Sequence, residues 1–319
     1  MRSEWTIGGL AAEVGVSVKT VRYYTERGLL PGVTRSAGGH RRYDRSALER
    51  LRLLRALRAM GMPLTVATDA ATGELPLGQA LDSQIRGLET ELQRMRWRRA
   101  ALLAVRDGGD DVLALHLLAA VPEPPDGQEI LAFWRRVLPP RLPAPVARGV
   151  AEAAAPALPR DPAPRQVLLY ARLHALVTDR GFAAEVRARE RRAARAAGVT
   201  VDCPDPLALY EGLGEAYALA ATEMTEPARP TGGPALDTFV RAYARSRGEA
   251  DTPAFRQALH RWLGHASDPR MGDYWTWTAE LNAAAGPRPH SGTHDAPAPT
   301  LGASHAWLLD SLRRAAGGG

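Results

Sequence analysis

Two clusters of cationic, hydroxyl-bearing and aromatic side chains near the start of the chain have the composition of a surface that contacts a polyanion. The first cluster occupies residues 18–26, and the second lies around Gly38-Gly39. Lysine and arginine neutralise phosphates, while guanidinium, imidazole and hydroxyl groups form hydrogen bonds with base edges in a groove. The sequence therefore predicts a nucleic-acid contact formed by Lys19, Thr20, Arg22, Tyr23, Tyr24, Arg35, His40, Arg41, Arg42 and Tyr43.

Two short helices and a hairpin are needed to position these side chains. Apolar residues recur at helical spacing in residues 6–14. Gly15 suits the left-handed C-cap of that helix, and Ser17 suits the N-cap of the next. We expect Val18 and Val21 of this second helix to face inward and its polar residues to face a groove. The glycine pair between two basic groups predicts a hairpin wing.

The positive charge of the chain is concentrated in the same region. The chain has 319 residues with 41 Lys and Arg against 35 Asp and Glu, and 12 and 5 of these lie in residues 1–62. The rest of the chain is therefore close to neutral. A generally basic protein would carry its excess evenly, so this distribution favours phosphate binding by the N-terminal module.

The order and spacing of these motifs resemble the DNA-binding domain of the MerR family of transcription regulators. The matching strings are T-I-G-G-L-A-x(3)-G-V-S-V-K-T-V-R-Y-Y, G-L-L-P, G-H-R-R-Y and L-E-R-L-R-L-L-R-A-L-R-A-M-G-M, within roughly the first 70 residues. The family usually has an acidic residue after the paired tyrosines, where this chain has Thr25. Glu26 is the candidate for the role of that residue.

The resemblance implies a winged helix-turn-helix that binds double-stranded promoter DNA in a bacterial cell. It also implies that a dimer bends and untwists a promoter with an overlong spacer, so that RNA polymerase engages both promoter elements. Whether this chain activates or represses is not determined by its sequence.

Further helices follow the basic hairpin. Residues 46–60 show amphipathic spacing that predicts an inward face of Leu48, Leu51, Leu54 (or Leu53), Leu57 and Met60. A short helix is expected over residues 63–71, and the break at residues 73–76 ends the module. We expect a DNA-binding domain over residues 1–75.

The next helix carries apolar residues at alternating steps of four and three, which is the spacing of a coiled-coil seam. A seam of this kind can pack inside its own chain or join two chains. Directly after a MerR-like domain, it resembles the antiparallel two-stranded coiled coil through which that family dimerises. We therefore expect residues 76–108 to form a homodimer through Leu81, Ile85, Leu88, Leu92, Met95 and Leu102.

Residues 109–319 are rich in Ala, Leu and Arg, and proline-rich breaks separate segments with helical spacing. Alternating strand-like runs are absent from this sequence. We expect an all-helical domain of seven or more helices, a flexible loop at 286–300 and a last helix, Ala303–Ala315, docked on the domain. The whole chain is thus expected to be mostly α. The segment Leu259–Tyr274 is similar to the helical antibiotic-binding domain of thiostrepton-responsive MerR relatives.

Several classes of chemistry lack the residues they require. Cys203 is the single cysteine, so neither a disulfide within the chain, nor a thiolate pair for a metal, nor an iron–sulfur cluster is expected. No nucleotide-binding or hydrolase motif occurs, and we expect no cofactor and no enzymatic activity. The sequence has no signal core and no long uncharged apolar stretch, which predicts a cytoplasmic protein without membrane contact.

Aromatic residues are the remaining candidates for a binding site. Trp275 and Trp277 are two positions apart and cannot both face a core from one helix, so one of them is a candidate pocket residue. Filling a core of small alanines is the alternative role for any of these rings. We expect an uncharged or weakly charged aromatic natural product to bind among Trp134, Tyr210, Tyr217, Trp262, Tyr274 and Trp275.

These observations predict a DNA-binding transcription regulator with a palindromic promoter site and a helical domain that senses a small organic ligand. Two alternatives remain open. One is a drug-sequestering resistance protein, which would protect cells without its N-terminal domain. The other is a ligand-independent regulator with a structural C-terminal domain, which would show no thermal shift against a broad compound panel and no large pocket.

Overall fold

The computed structural model describes residues 4–108, 111–199, 203–224, 233–285 and 300–317. The chain divides into two compact units between Leu92 and Gln93. Helices dominate both units, which confirms the predicted mostly α fold class. Residues 286–299, which make up nearly all of the predicted flexible loop, lie outside the described residues.

The first unit is a winged helix-turn-helix followed by two further helices. Its three short strands form one antiparallel sheet in the order β1-β3-β2, in which β2 and β3 are the hairpin of the wing. The elements are β1 (Trp5–Thr6), α1 (Ile7–Val14), α2 (Val18–Glu26), β2 (Val33–Arg35), β3 (Arg41–Tyr43), α3 (Arg45–Ala59), α4 (Leu64–Thr72) and the start of α5 (Leu77–Asp107).

Local capping sets the turn between α1 and α2. The backbone of Gly15 is left-handed, with φ 71°, and its N–H donates to carbonyl groups of the last turn of α1. The hydroxyl of Ser17 accepts a hydrogen bond from the N–H of Thr20 at 3.0 Å and begins α2. Both caps agree with the prediction from sequence, because each depends on one residue type at one position.

The core of the first unit lies between α1, α2, α3 and α4, and contains Leu10, Val21, Leu51 and Leu54. Two residues predicted to face inward do not. Val18 is 40% exposed because it is the first residue of α2, and Met60 is 54% exposed because it follows the last residue of α3. Met62 enters the core in place of Met60.

The second unit contains the rest of α5 and ten further helices, and no strand occurs among its described residues. Several helices begin with proline, whose missing N–H costs nothing in a first turn. The helices are α6 (Val112–Ala119), α7 (Gln128–Val137), α8 (Ala144–Ala154), α9 (Pro164–Thr178), α10 (Phe182–Ala197), α11 (Pro206–Glu223), α12 (Pro234–Arg245), α13 (Pro253–Ala266), α14 (Pro269–Ala285) and α15 (Leu301–Gly317).

Two apolar clusters hold this unit together. One surrounds Phe133, Phe182 and Tyr274, and the other surrounds Phe239 and Trp262. The last helix contributes the fully buried Leu308 and Leu312 to the second cluster, as its apolar spacing predicts. Within the described ranges, no helix is both long enough and apolar enough to cross a membrane.

Candidate functional site

The second helix of the helix-turn-helix presents a cationic and aromatic face to solvent. Lys19, Arg22 and Tyr23 are exposed, and Thr20 is half-buried, with its hydroxyl 2.8 Å from that of Ser17. This face follows from the helical repeat, since Val21 occupies the opposite side and packs into the core. The α2 surface therefore offers a lysine, an arginine and a phenol at helical spacing.

The wing adds a second group of donors. Arg35 pairs with Arg41 across β2 and β3, and the N–H of Ser36 donates to the carbonyl of His40 at 2.8 Å. Gly39 adopts φ 79°, a conformation that favours glycine, and closes the turn. Arg35 and His40 are exposed, whereas Arg41 and Arg42 are half-buried with their side chains beside the sheet.

Two of the ten predicted contact residues belong to the core instead. Tyr43 has no exposed surface and Tyr24 very little, so burial contradicts the prediction that these two side chains contact nucleic acid. The hydroxyl of Thr25 donates to the carbonyl of Val21 at 2.7 Å and lies 2.9 Å from the Tyr43 hydroxyl. Because the Thr25 hydrogen is already used, the Tyr43 hydroxyl donates to Thr25 and joins the wing to α2.

Sequence reasoning missed Arg27, which extends the same surface. Its guanidinium lies 5.1 Å from the ring centroid of Tyr23 and is exposed just beyond the last residue of α2. The spacing of four residues was the available signal, because residues four apart are neighbours on a helix. The cationic side chains of α2 and the wing take no part in the ion pairs formed among the described residues. In this unit those pairs join Arg45 to Glu49 and Arg52 to Glu13.

A stripe of exposed apolar side chains runs along α5. Of the six predicted dimer residues, Leu81 is half-buried against the core of the first unit. The other five have between 46% and 72% of their surface exposed, although all are large and apolar. They are Ile85, Leu88, Leu92, Met95 and Leu102. We call these five residues the α5 stripe.

The second unit contains a cavity of about 870 Å³ between α10, α13, α14 and α15. Of the six aromatic residues predicted to bind a ligand, Trp262 and Trp275 line it. Trp134 and Tyr274 lie in the core, where the indole N–H of Trp134 donates to the Tyr274 hydroxyl at 2.9 Å. That hydroxyl in turn donates to the carbonyl of Ala154 at 2.7 Å, which completes a closed network.

The other two predicted residues, Tyr210 and Tyr217, do not line the cavity. The Tyr217 hydroxyl lies 3.0 Å from Nδ1 of His305, which does. Burial lowers the pKa of His305 to about 4, so its imidazole is neutral at pH 7. Sequence reasoning missed His305, Tyr243 and Glu190 as lining residues, because their helices meet only in the folded unit.

No group of three or more His, Cys, Asp or Glu side chains able to hold a metal ion occurs in the part of the chain that the structure describes. The cavity is lined mostly by apolar and aromatic groups, with a few polar ones. Such a lining suits an organic molecule, for which apolar burial supplies affinity and polar groups fix orientation.

The first unit is thus a winged helix-turn-helix whose cationic face forms no ion pair with the residues that the structure describes, as is typical of a DNA-binding class of protein. The family described as MerR HTH family regulatory protein matches residues 5–74. The regulator MerD of Acinetobacter calcoaceticus is 37% identical over 106 residues, which are 31% of this chain and 84% of MerD. The chain belongs to the MerR family of DNA-binding transcription regulators.

Two further comparisons each match about a third of this chain. The nodulation protein NolA of Bradyrhizobium sp. (strain NC92) is 34% identical over 119 residues, 37% of this chain and 50% of NolA. The chain thus spans about half the length of this relative. A crystal structure of HiNmlR, a MerR family regulator lacking the sensor domain and bound to promoter DNA, is 27% identical with a TM-score of 0.24. The matched region covers 33% of this chain and 90% of the HiNmlR chain.

Proposed function

We propose that this chain binds a palindromic promoter site as a homodimer and changes transcription in response to a small organic ligand. The observation that carries the proposal is the exposed cationic face of α2 and the wing, which is held in place by caps and by the Thr25–Tyr43 hydrogen bond. In this proposal the exposed Lys19 and Arg22 contact base edges or phosphates, and the exposed Arg35 and His40 contact the flanking backbone.

The α5 stripe supports the homodimer. Five large apolar side chains at coiled-coil spacing leave a seam in water, and burying that seam against a second copy would remove apolar area at about 25 cal/mol per Å². A dimer of this kind has two-fold symmetry, so its two α2 helices would meet two inverted half-sites. The palindromic site is therefore a consequence of the proposed dimer. RNA polymerase is the further partner that family membership implies.

The cavity of the second unit supports the ligand response. Its volume lies within the range of about 300–1,000 Å³ that is typical of sites for organic ligands. Trp262 and Trp275 provide aromatic surface, and no metal-binding cluster competes with this interpretation among the described residues. We propose that ligand binding in this unit alters the affinity for, or the distortion of, the promoter.

Footprinting of the full-length protein on the DNA upstream of its own gene tests the proposal. We expect protection of two inverted half-sites, and a footprint that changes with at least one compound from a panel of natural products. A duplex with one half-site scrambled is the control and should bind far more weakly. Equal affinity for the intact and the scrambled duplex would contradict the dimeric site, and an unchanged footprint across the panel would contradict the ligand response.

A further inference from the structure

The charged side chains that line the cavity are both carboxylates, Glu190 and Asp268, within the described ranges. His305 also lines it but is neutral, because burial lowers its pKa to about 4. No lysine or arginine is present in the described lining. Among the described lining residues, the charged side chains are therefore these two carboxylates, and the Arg247 guanidinium lies behind the lining, over the Trp262 ring.

Asp268 is already neutralised. Its carboxylate accepts hydrogen bonds from Nε and Nη2 of Arg270, at 3.1 and 3.0 Å, and from the Arg270 N–H at 3.0 Å. The bidentate contact with Arg270 lowers the pKa of Asp268 below its ordinary value. Asp268 is also buried, so it shapes the wall of the cavity without offering a free oxygen to a ligand.

Glu190 differs from Asp268 in both respects. It keeps exposed surface where α10 borders the cavity, and it forms none of the ion pairs found among the described residues. Burial raises the pKa of the Glu190 carboxyl, while the positive charges of Arg247 and Arg191 act to lower it. The guanidinium of Arg247 forms no ion pair with Glu190. It lies 4.5 Å from the ring centroid of Trp262, and its Nη1 donates to the Tyr243 carbonyl and the Ser246 hydroxyl.

Trp275 supplies aromatic surface to the cavity from α14, whereas Glu190 lies on α10, a helix with more arginines than carboxylates. Gly302 of α15 packs directly on it, since a Cβ at this position would come within 2.6 Å of the indole. One side of the ring is thus covered by backbone, while Trp134 and Tyr274 pack around it at 5.5 and 5.0 Å between centroids. The indole is packed against these groups and retains a half-buried surface that lines the cavity.

We propose that this cavity selects an aromatic organic cation, with the Glu190 carboxylate as its counter-ion and Trp275 as the surface on which its ring stacks. This inference rests on the proposed ligand response and narrows it from the uncharged or weakly charged molecule expected from sequence. A protonated amine near an unpaired carboxylate gains ion-pair energy in a partly desolvated site, and a ring beside indole gains stacking and cation–π energy. An anionic ligand would meet Glu190 unfavourably.

Three tricyclic probes of similar size and different charge test the inference on the full-length protein without DNA. They are proflavine, which is cationic, acridone, which is neutral, and acridine-9-carboxylate, which is anionic. Binding is followed by quenching of tryptophan fluorescence and by anisotropy of the probe. We expect proflavine to bind about tenfold more tightly than acridone, and the carboxylate to bind most weakly.

Variants of Glu190 assign the preference to this side chain. Glu190→Gln should remove most of the tenfold preference for proflavine and leave acridone binding unchanged, whereas Glu190→Asp should keep the preference. Glu152→Gln, an exposed carboxylate of α8, is the matched control and should behave as the parent protein. Because Glu190 is exposed and forms no ion pair among the described residues, its replacement by glutamine should leave the fold intact.

The outcomes separate this inference from the proposed ligand response. Equal or tighter binding of the neutral or anionic probe, or a proflavine preference that survives Glu190→Gln, overturns the charge assignment and leaves the organic-ligand cavity standing. Absence of binding by all three probes overturns the cavity as a site for tricyclic ligands of any charge. A promoter footprint that still responds to a natural product would then place the response elsewhere in the protein.

Discussion

The hydroxyl oxygens of Thr25 and Tyr43 lie 2.9 Å apart and connect α2 to the wing. Thr25 is the last-turn residue of α2 whose hydroxyl also bonds to Val21, and Tyr43 is fully buried on β3. The contact holds α2 and the wing at a fixed angle to each other. These are the two parts of the surface that would contact a DNA groove and the adjacent phosphate backbone. Thr25, which departs from the usual family pattern, thus has a structural role where α2 meets the wing.

Replacing Thr25 by valine should destabilise the first unit by about 1–3 kcal/mol, because the buried Tyr43 hydroxyl would lose its partner. Operator affinity should fall as well, since the wing would no longer be fixed to α2. Urea denaturation and a gel-shift titration of the full-length protein measure the two effects.

The double variant Thr25→Val with Tyr43→Phe provides the control for this loss. Replacing both partners by apolar groups of similar shape should recover much of the stability, because no buried polar group is then left unpaired. A double variant as unstable as Thr25→Val alone would show that packing at Thr25, rather than the hydrogen bond, is responsible.

Arg22→Ala should weaken operator binding by roughly 1–3 kcal/mol and relax specificity at one position if the side chain contacts a base edge. Arg41→Ala should weaken binding to all sequences alike. It should also reduce the slope of log affinity against log salt concentration by about one. Titrations over a range of salt concentrations on operator and random duplexes separate the two roles.

Arg172→Ala is the matched control for both variants, because it removes an exposed arginine from α9 in the second unit. It should bind operator DNA as the parent protein does. Unchanged operator affinity in both Arg22→Ala and Arg41→Ala would mean that the recognition surface has been assigned to the wrong face of the unit.

The sequence was most informative where structure depends on neighbours in the chain. Ser17 and Gly15 could be placed because a cap requires one residue type at one position, and the bounds of α2 followed. Tyr43 could not be assigned correctly, because its direction depends on how a three-residue strand packs against distant helices. Judged only by its residue type and its basic neighbours in the sequence, Tyr43 resembles a surface residue.

The cavity was less accessible to prediction for the same reason. Trp134 and Tyr274 are 140 positions apart, and no local pattern reveals that they bond to each other in the core. Aromatic content predicted that a pocket would contain tryptophan, and Trp262 and Trp275 do line the cavity. The lining role of Glu190 required the packing of α10 beside α13, which apolar spacing does not specify.

Replacing Leu88 and Leu92 together by aspartate should convert a dimer to a monomer, because two charges per chain would be buried in an apolar seam. Sedimentation velocity measures the change, and operator affinity should drop at least about tenfold because a single half-site offers too few contacts. Ser83→Asp with Thr90→Asp adds the same charge at exposed positions outside the α5 stripe and should remain dimeric. If the Leu88/Leu92 variant remained dimeric, the dimer interface would have to lie on a surface other than the α5 stripe.

The neutral imidazole of His305 should make the stability of the second unit depend on pH. Burial lowers its pKa to about 4 in the folded protein, against about 6.5 when unfolded, so between these values the unfolded chain binds the additional proton. Stability should therefore be fully present above about pH 6.5 and fall by on the order of 2–3 kcal/mol as pH decreases towards 4. Thermal unfolding of the full-length protein at pH 7.5 and 4.5 measures this loss, which His305→Gln should reduce.

His116→Gln, on the exposed face of α6, is the matched control and should retain the full loss. If His305→Gln and the parent protein lost the same stability over this range, other groups would account for the pH dependence.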